Sequence, residues 1–186
     1  MRKLIVSEFV TLDGVMEDPG GAEDFDRGGW AFKFERGDAG NRFKLEELLA
    51  ADAQLLGRKT YEGFAKAWPS MTDEQGFAEK MNTMRKAVVS STLADPTWEN
   101  TQVIGLEDIE DIKAEDGGDV LVAGSAKLVA ALLEHDLVDE VRLMVFPSIA
   151  GQGKKLFDGS VPQHAWKLVE ARQTGEVSVQ TLRRDR

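Results

Sequence analysis

Asp119-Val120-Leu121-Val122-Ala123-Gly124-Ser125-Ala126-Lys127-Leu128 passes from an apolar run into a helix with no spacer. Val120-Leu121-Val122 is continuous and rich in β-branched residues, the pattern of a strand buried on both faces. Gly124-Ser125 punctuates it. Leu128, Leu132 and Leu133 then share one side of a helix running from Ser125 to His135. A strand that feeds a helix directly is the unit of a parallel sheet, because parallel neighbours need a crossover between them.

The same unit recurs on either side. Ala53 to Gly57 reads as a strand, and Arg58 to Trp68 as a helix stopped by Pro69. Thr72 and Gln75 form a capping-box pattern that opens a further helix, ending near Met84. Ala87 to Ser91 and Gln102-Val103-Ile104 read as strands, and Leu106 to Ala114 as an acidic helix closed by Gly117-Gly118. Leu4 to Val10 is a buried first strand. Phe43 to Asp52 is a helix with Leu45, Leu48 and Leu49 on one face, and Val141 to Phe146 is a strand ended by Pro147. Only the end breaks the alternation: Trp166 to Ala171 and Val177 to Leu182 flank Gly175 as an antiparallel hairpin. The expectation is a three-layer α/β domain over residues 1–186, with a mostly parallel central sheet, an antiparallel C-terminal hairpin and no repeat or linker.

The composition supports this and narrows the function. A chain of 186 residues buries roughly 70% of its unfolded surface and needs no staple. It has no cysteine, which excludes a disulfide framework, a thiol nucleophile and thiolate metal sites. With 23 Lys+Arg against 33 Asp+Glu the net charge is −10, the wrong sign for a general nucleic-acid or anionic-membrane binder. Ser7-Glu8 interrupts the first apolar run, so no signal-peptide core follows Met1, and no stretch approaches the ~20 apolar residues of a spanning helix. The default location is the cytoplasm.

Three turns carry the chemical signal. Gly57-Arg58-Lys59-Thr60 opens a helix with two cations and a hydroxyl, and free amides at a helix N-terminus favour phosphate. Arg58 and Lys59 are otherwise ordinary surface cations. Gly124-Ser125-Ala126 admits a ligand close to the backbone, or is a tight turn with a Ser cap. Ser90-Ser91-Thr92 follows a strand, where sugar or phosphate binds in open α/β sheets, and also reads as a polar turn. Parallel strands bring all three turns to one edge of the sheet.

Other patterns fail. Gly151-Gln152-Gly153-Lys154-Lys155 lacks the upstream Gly and the final Ser/Thr of a P-loop. His135 and His164 have no metal spacing, and no metal is expected. Asp24, Asp26, Gly29 and Glu35 match calcium-loop positions, but Pro19-Gly20-Gly21 stands where the first helix belongs. The loop from Glu17 to Gly40 carries Phe25, Trp30, Phe32 and Phe34, which marks it as ordered and ligand-facing rather than a linker.

Ser7 to Gly14 (SEFVTLDG), Leu55 to Tyr61 (LLGRKTY), Ala87 to Leu93 (AVVSSTL), Val120 to Leu128 (VLVAGSAKL), Leu137 to Val141 (LVDEV) and Phe146 to Phe157 (FPSIAGQGKKLF) follow one another along almost the whole chain. This ordered set resembles the dihydrofolate-reductase-like superfamily, specifically the reductase domain of the bifunctional riboflavin-biosynthesis deaminase-reductase. The resemblance implies NADPH as cofactor. By match, Gly57, Arg58, Lys59 and Thr60 would hold phosphates, Ser90 and Ser91 would lie near the adenosine ribose and its 2′-phosphate, and Gly124, Ser125 and Ala126 would cradle the pyrophosphate. It also implies hydride transfer to a small heterocyclic substrate, with 5-amino-6-(5-phosphoribosylamino)uracil as a model. Asp13 matches a substrate-side position, where it bonds substrate or delivers a proton, or else shapes the turn before Gly14. Trp30 covers the substrate or packs the loop onto the core. Phe146 lines the pocket or simply ends an apolar strand.

Two departures bear on the substrate. Ala123-Gly124 replaces the Gly-Gly pair of dihydrofolate reductases proper, and neither Glu46 nor Glu47 aligns with their acidic residue on the first helix. Folate reduction and a catalytically silent nucleotide-binding module therefore stand as alternatives. The resemblance further implies a homodimer, for which Leu128, Leu132 and the Leu137 to Val145 stretch offer apolar surface. If a phosphorylated cofactor binds, the excess acid should lie away from the three turns, as at Glu107 to Glu115.

Overall fold

The computed structural model describes residues 1–185. Its centre is one eight-stranded sheet: β1 (Leu4–Thr11), β2 (Ala51–Gly57), β3 (Arg85–Val89), β4 (Thr101–Ile104), β5 (Asp119–Val122), β6 (Glu140–Phe146), β7 (Trp166–Thr174) and β8 (Val177–Arg184). The order is β4-β3-β2-β5-β1-β6-β8-β7. All pairings from β4 to β6 are parallel, and β8 runs antiparallel to both β6 and β7. The alternation of strands and helices and the closing hairpin are as the sequence predicts.

Five α-helices cover the sheet: α1 (Gly37–Ala50), α2 (Arg58–Ala67), α3 (Phe77–Thr83), α4 (Ile109–Ala114) and α5 (Ala126–Glu134). Leu4, Val6 and Val10 of β1 pack with Val120, Val122 and the α5 leucines in one core. Ile5 points to the opposite face, with Leu48 of α1 and Tyr61 of α2. This alternation along β1 is the period of two that a strand imposes. Each fully buried leucine contributes about 2 kcal/mol. A third, aromatic cluster joins Trp30 and Phe146 under the 18–34 loop.

Several boundaries move. Thr72 and Gln75 do not cap a helix. The Asp73 carboxylate instead accepts from the Phe77 and Ala78 amides, so α3 starts later. Leu49 is half exposed, while Glu47 turns inward because Ser7 and Lys44 give it partners. Leu128, Leu132, Leu137 and Val141 are all buried within the single chain, so they offer no dimer surface. Exposed apolar side chains among the described residues include Leu168 and Val169 of the edge strand β7. No helix among the described residues is long and apolar enough to cross a membrane.

Candidate active site

The parallel strands end together, so Thr11, Gly57, Val89, Ile104, Val122 and Phe146 define one edge of the sheet. Gly57 ends β2 and is the N-cap of α2; no side chain caps that helix. Its first-turn amides therefore lack side-chain acceptors, and the exposed Arg58 and Lys59 stand beside them. The neighbouring strand β5 is followed by Ala123-Gly124-Ser125, whose Gly124–Ser125 peptide bond is cis. The two turns touch. The Gly57 amide donates to the Gly124 carbonyl at 3.1 Å. A methyl group on Gly57 would overlap the Ser125 hydroxyl, and one on Gly124 would lie 2.9 Å from Thr60 Oγ1. Gly124 also has φ +94°, a conformation that glycine adopts without strain. Ser125 Oγ accepts weakly from the Leu128 amide at 3.4 Å, so much of its capacity remains free. Gly57, Thr60, Gly124, Ser125 and Ala126 thus share one backbone-lined cradle.

The third turn lies further out along the same edge. Ser90 Oγ accepts from the Thr92 and Leu93 amides at 3.1 and 3.0 Å, a local turn, and Ser91 is exposed.

The remaining expectations meet a different geometry. The Asp13 carboxylate accepts from Thr11 Oγ1 at 2.6 Å and from the Ala150 and Gly151 amides at 3.0 and 2.7 Å. The Thr11 hydroxyl, foremost, and these amides hold its pKa down at about 2. Asp13 is thus an ionised clamp between two turns and has no proton to deliver at neutral pH. Trp30 is 2% exposed, donates from Nε1 to the Glu17 carbonyl and stacks edge-on against Phe146 at 5.4 Å. It packs the loop onto the core and does not cover a substrate. Phe146 is fully buried between Trp30 and Phe9, so it ends a strand and lines no pocket. Aromatic pairs gain by such edge-to-face contact, which draws both rings inward.

Glu8 is the residue that sequence reasoning passed over. It is 7% exposed on the α5 side of β1 and its Oε1 has no hydrogen-bond partner. Burial raises its pKa to about 8, against the opposing pull of Lys44 and the Gly124 amide. Its signal was available: an acid at an inward position of the Leu4 to Val10 strand, where Ser7 is the one other polar residue. At neutral pH it is protonated, so it adds no negative charge beneath Gly124. Acid does not keep wholly clear of the turns, however. Glu62 pairs with Arg58 at 2.8 Å, while exposed Glu107, Asp108, Glu110 and Asp111 gather by α4. Glu47, the acid of the first helix, is committed to Ser7, Lys44 and Arg142.

The RibD C-terminal domain model matches residues 2–179. The chain belongs to the RibD C-terminal domain family. Its fold is similar to that of a Shewanella sp. PV-4 protein provisionally described as a riboflavin biosynthesis protein, at 21% identity and TM-score 0.74 over 99% of both chains. It is also similar to the Thermotoga maritima diaminohydroxyphosphoribosylaminopyrimidine deaminase/5-amino-6-(5-phosphoribosylamino)uracil reductase. There the identity is 21% and the TM-score 0.62, over 99% of this chain and 57% of that one. Enterococcus faecalis dihydrofolate reductase, in a complex with NADP(H), matches at 16% identity and TM-score 0.64 over 99% of this chain and 97% of that one. The fold is therefore the dihydrofolate-reductase-like α/β fold, and membership of the RibD C-terminal domain family supports a reductase-type activity.

Proposed function

We propose that the protein is an NADPH-dependent reductase of a small heterocyclic substrate, with 5-amino-6-(5-phosphoribosylamino)uracil as the first compound to try. The observation that carries this reading is the contact between the β2–α2 and β5–α5 turns. Two glycine-bearing turns with open backbone approach, a hydroxyl from each and two adjacent cations suit a dinucleotide pyrophosphate. Gly57, Arg58, Lys59 and Thr60 would hold phosphate oxygens from one side, and Gly124, Ser125 and Ala126 from the other. Ser90 and Ser91 would face the adenosine end. Bound there, the nicotinamide would supply the hydride, and the protein's part is to orient it, exclude water and hold a proton nearby. Glu8, protonated at neutral pH, is the buried acid adjoining that cradle. Trp30 and Phe146 act beneath the site by fixing the loop.

A silent nucleotide-binding module is the second reading, favoured by the full engagement of Asp13. Dihydrofolate reduction is disfavoured because Glu47 is tied into ion pairs. We place the protein in the cytoplasm, and propose that it dimerises through the exposed β7 edge. NADPH should raise the melting temperature, since binding to the native state stabilises it. Oxidation of NADPH should then follow with aminopyrimidine ribosides or pteridines. An unshifted melt with NADPH overturns the cofactor reading; a shift without turnover on the whole panel favours the silent module.

A further inference from the structure

A hollow of about 490 Å³ opens at the amino ends of β1, β6 and β7, beside the last residues of β8. Five cationic side chains line it against two carboxylates. In a chain of net charge −10 this reverses the prevailing sign. The hollow is remote from the cofactor cradle. The strand β1 is eight residues long, so the two ends of the sheet lie about 25 Å apart.

Two of the five cations are committed. Arg2 bonds Glu115 at 2.9 Å and the Gly118 carbonyl at 2.7 Å, and Arg184 bonds Asp136 at 2.8 Å and the Ala165 carbonyl at 3.0 Å. The other three, Lys3, Lys167 and Arg183, are each about half exposed or more and meet on one face. Lys167, Arg183, Glu140 and Ile5 are successive partners across β7, β8, β6 and β1, so their side chains share the α1 face. Lys3, two residues before Ile5, continues that face. The Glu140 carboxylate, 2% exposed, answers three cations at once. Arg142 holds it best, with Nη2 at 2.7 Å and Nε at 2.8 Å. Arg183 stays back at 3.3 Å, and Lys3 Nζ at 3.8 Å, beyond hydrogen-bond range. Asp119 stands next to Lys3 across β1 and β5 and makes no ion pair with it. Lys167 sits directly opposite Arg183, an arrangement of like charges that costs stability. Its Nζ turns to Asp185 at 2.6 Å. Asp139, the other carboxylate of the wall, is held by Lys113 at 2.7 Å and the Leu4 amide at 2.9 Å.

We propose that Lys3, Lys167 and Arg183 form a second anion site, at the opposite end of the sheet from the cradle, which takes a phosphate group, free or as the monoester of a small molecule. The three side chains suit such a ligand together. Arg183 offers the planar edge of a guanidinium, and the lysines are compact charges on flexible stems. A doubly charged phosphate gathers all three, takes Lys167 from Asp185 and relieves the like-charge contact between β7 and β8. Val169, half exposed in the wall, gives an apolar rest to whatever bears the phosphate. Pairing of β7 edges would use the backbone and leave this face open. No residue of the cradle takes part, so a ligand here does not compete with NADPH.

The test is a titration of melting temperature on the intact protein, at fixed ionic strength in chloride buffer, with inorganic phosphate, ribose 5-phosphate and methyl riboside, each with and without saturating NADPH. The wild type should respond to one or both phosphates and not to methyl riboside, and the stronger of the two separates the free from the esterified source. The response should persist with NADPH present and in Arg58→Ala. Lys167→Gln and Arg183→Gln should each weaken it about tenfold while leaving the NADPH response in place. Asp185→Asn should strengthen it, because a competing carboxylate is gone; a merely structural Asp185 would not do this. Lys3→Gln, at a side chain without a hydrogen bond among the described residues, serves if Arg183→Gln folds poorly. A wild type that ignores both phosphates, or a response equal in the wild type and the Lys3, Lys167 and Arg183 variants, overturns the site. A response lost in Arg58→Ala or under NADPH places the anion in the cradle and overturns it too. A phosphate response that depends on Lys167 and Arg183 in a protein that ignores NADPH overturns the cofactor reading and leaves this site standing.

Discussion

Gly57 and Ser125 stand so close that a methyl group on Gly57 would lie 3.2 Å from both the Cβ and the backbone nitrogen of Ser125 and would overlap its hydroxyl. The two residues come from the ends of neighbouring strands, so the cradle has no room for a side chain at its floor. Gly57→Ala should therefore push the turns apart. We expect a loss of about 1–3 kcal/mol in urea unfolding and a weaker NADPH complex by isothermal titration. Gly63, with nothing near its Cβ position in α2, is the control. Gly63→Ala should stabilise by about 0.5–1 kcal/mol. Equal behaviour of the two variants would contradict the close approach.

Glu8 makes stability and cofactor affinity depend on pH. Its folded pKa of about 8 lies above the ordinary 4.5, so the folded state holds an extra proton between those values. Stability contributed by this group is thus full below pH 4.5, falls as pH rises towards 8 and is flat above it. Glu8→Gln should remove that slope and raise stability above pH 8 by on the order of 2–4 kcal/mol, at about 1.4 kcal/mol per pKa unit. Ionised Glu8 also lies beneath Gly124, where it opposes a bound pyrophosphate. NADPH affinity should drop above pH 8 in the wild type and not in Glu8→Gln. Parallel pH profiles would sink the assignment.

Arg58 should matter for the cofactor far more than any acid of α4. Its guanidinium pairs with Glu62 on the exposed side of α2, a contact worth little for stability. Arg58→Ala should leave the melting curve nearly unchanged and weaken NADPH about tenfold, whereas Glu110→Ala changes neither. Titrations of the three proteins at matched salt decide it.

Asp13 gives the opposite pH signature to Glu8. Its pKa is depressed to about 2 from 3.8, so its contribution is present above pH 3.8 and lost as pH falls through 2. Solvent screens it, and we expect Asp13→Asn to cost about 1 kcal/mol at pH 7. Protection of the Ala150 and Gly151 amides in hydrogen exchange should fall in the same variant. Unchanged protection would remove Asp13 from the turn.

The strands were legible because Val120 to Val122, Leu55-Leu56 and Val141 to Phe146 announce buried strands with local chemistry alone. The turns at Gly57, Ser90 and Gly124 were legible for the same reason. What escaped depends on partners distant in sequence. Trp30 and Phe146 look like pocket residues until the fold sets them face to edge. Glu47 turns inward only because Ser7 and Arg142 arrive from other strands. Asp13 looks like a catalytic acid until the 148–151 turn caps it, and Glu8 stands out in the sequence as an acid in the β1 run while its unpartnered Oε1 and raised pKa show only in the fold.

The strand order also dictates when this chain can fold. β1 is made first, yet it sits in the interior of the sheet between β5 and β6, with Leu4 paired to Val120 and Ile5 to both Leu121 and Glu140. During synthesis its apolar run must wait, both edges open, until most of the protein has left the ribosome. Contacts so far apart in sequence make folding slow, and an unpaired apolar strand is what aggregation and chaperones compete for. Yield on expression should respond to β1 more steeply than equilibrium stability does, and slowed translation should favour loss over rescue.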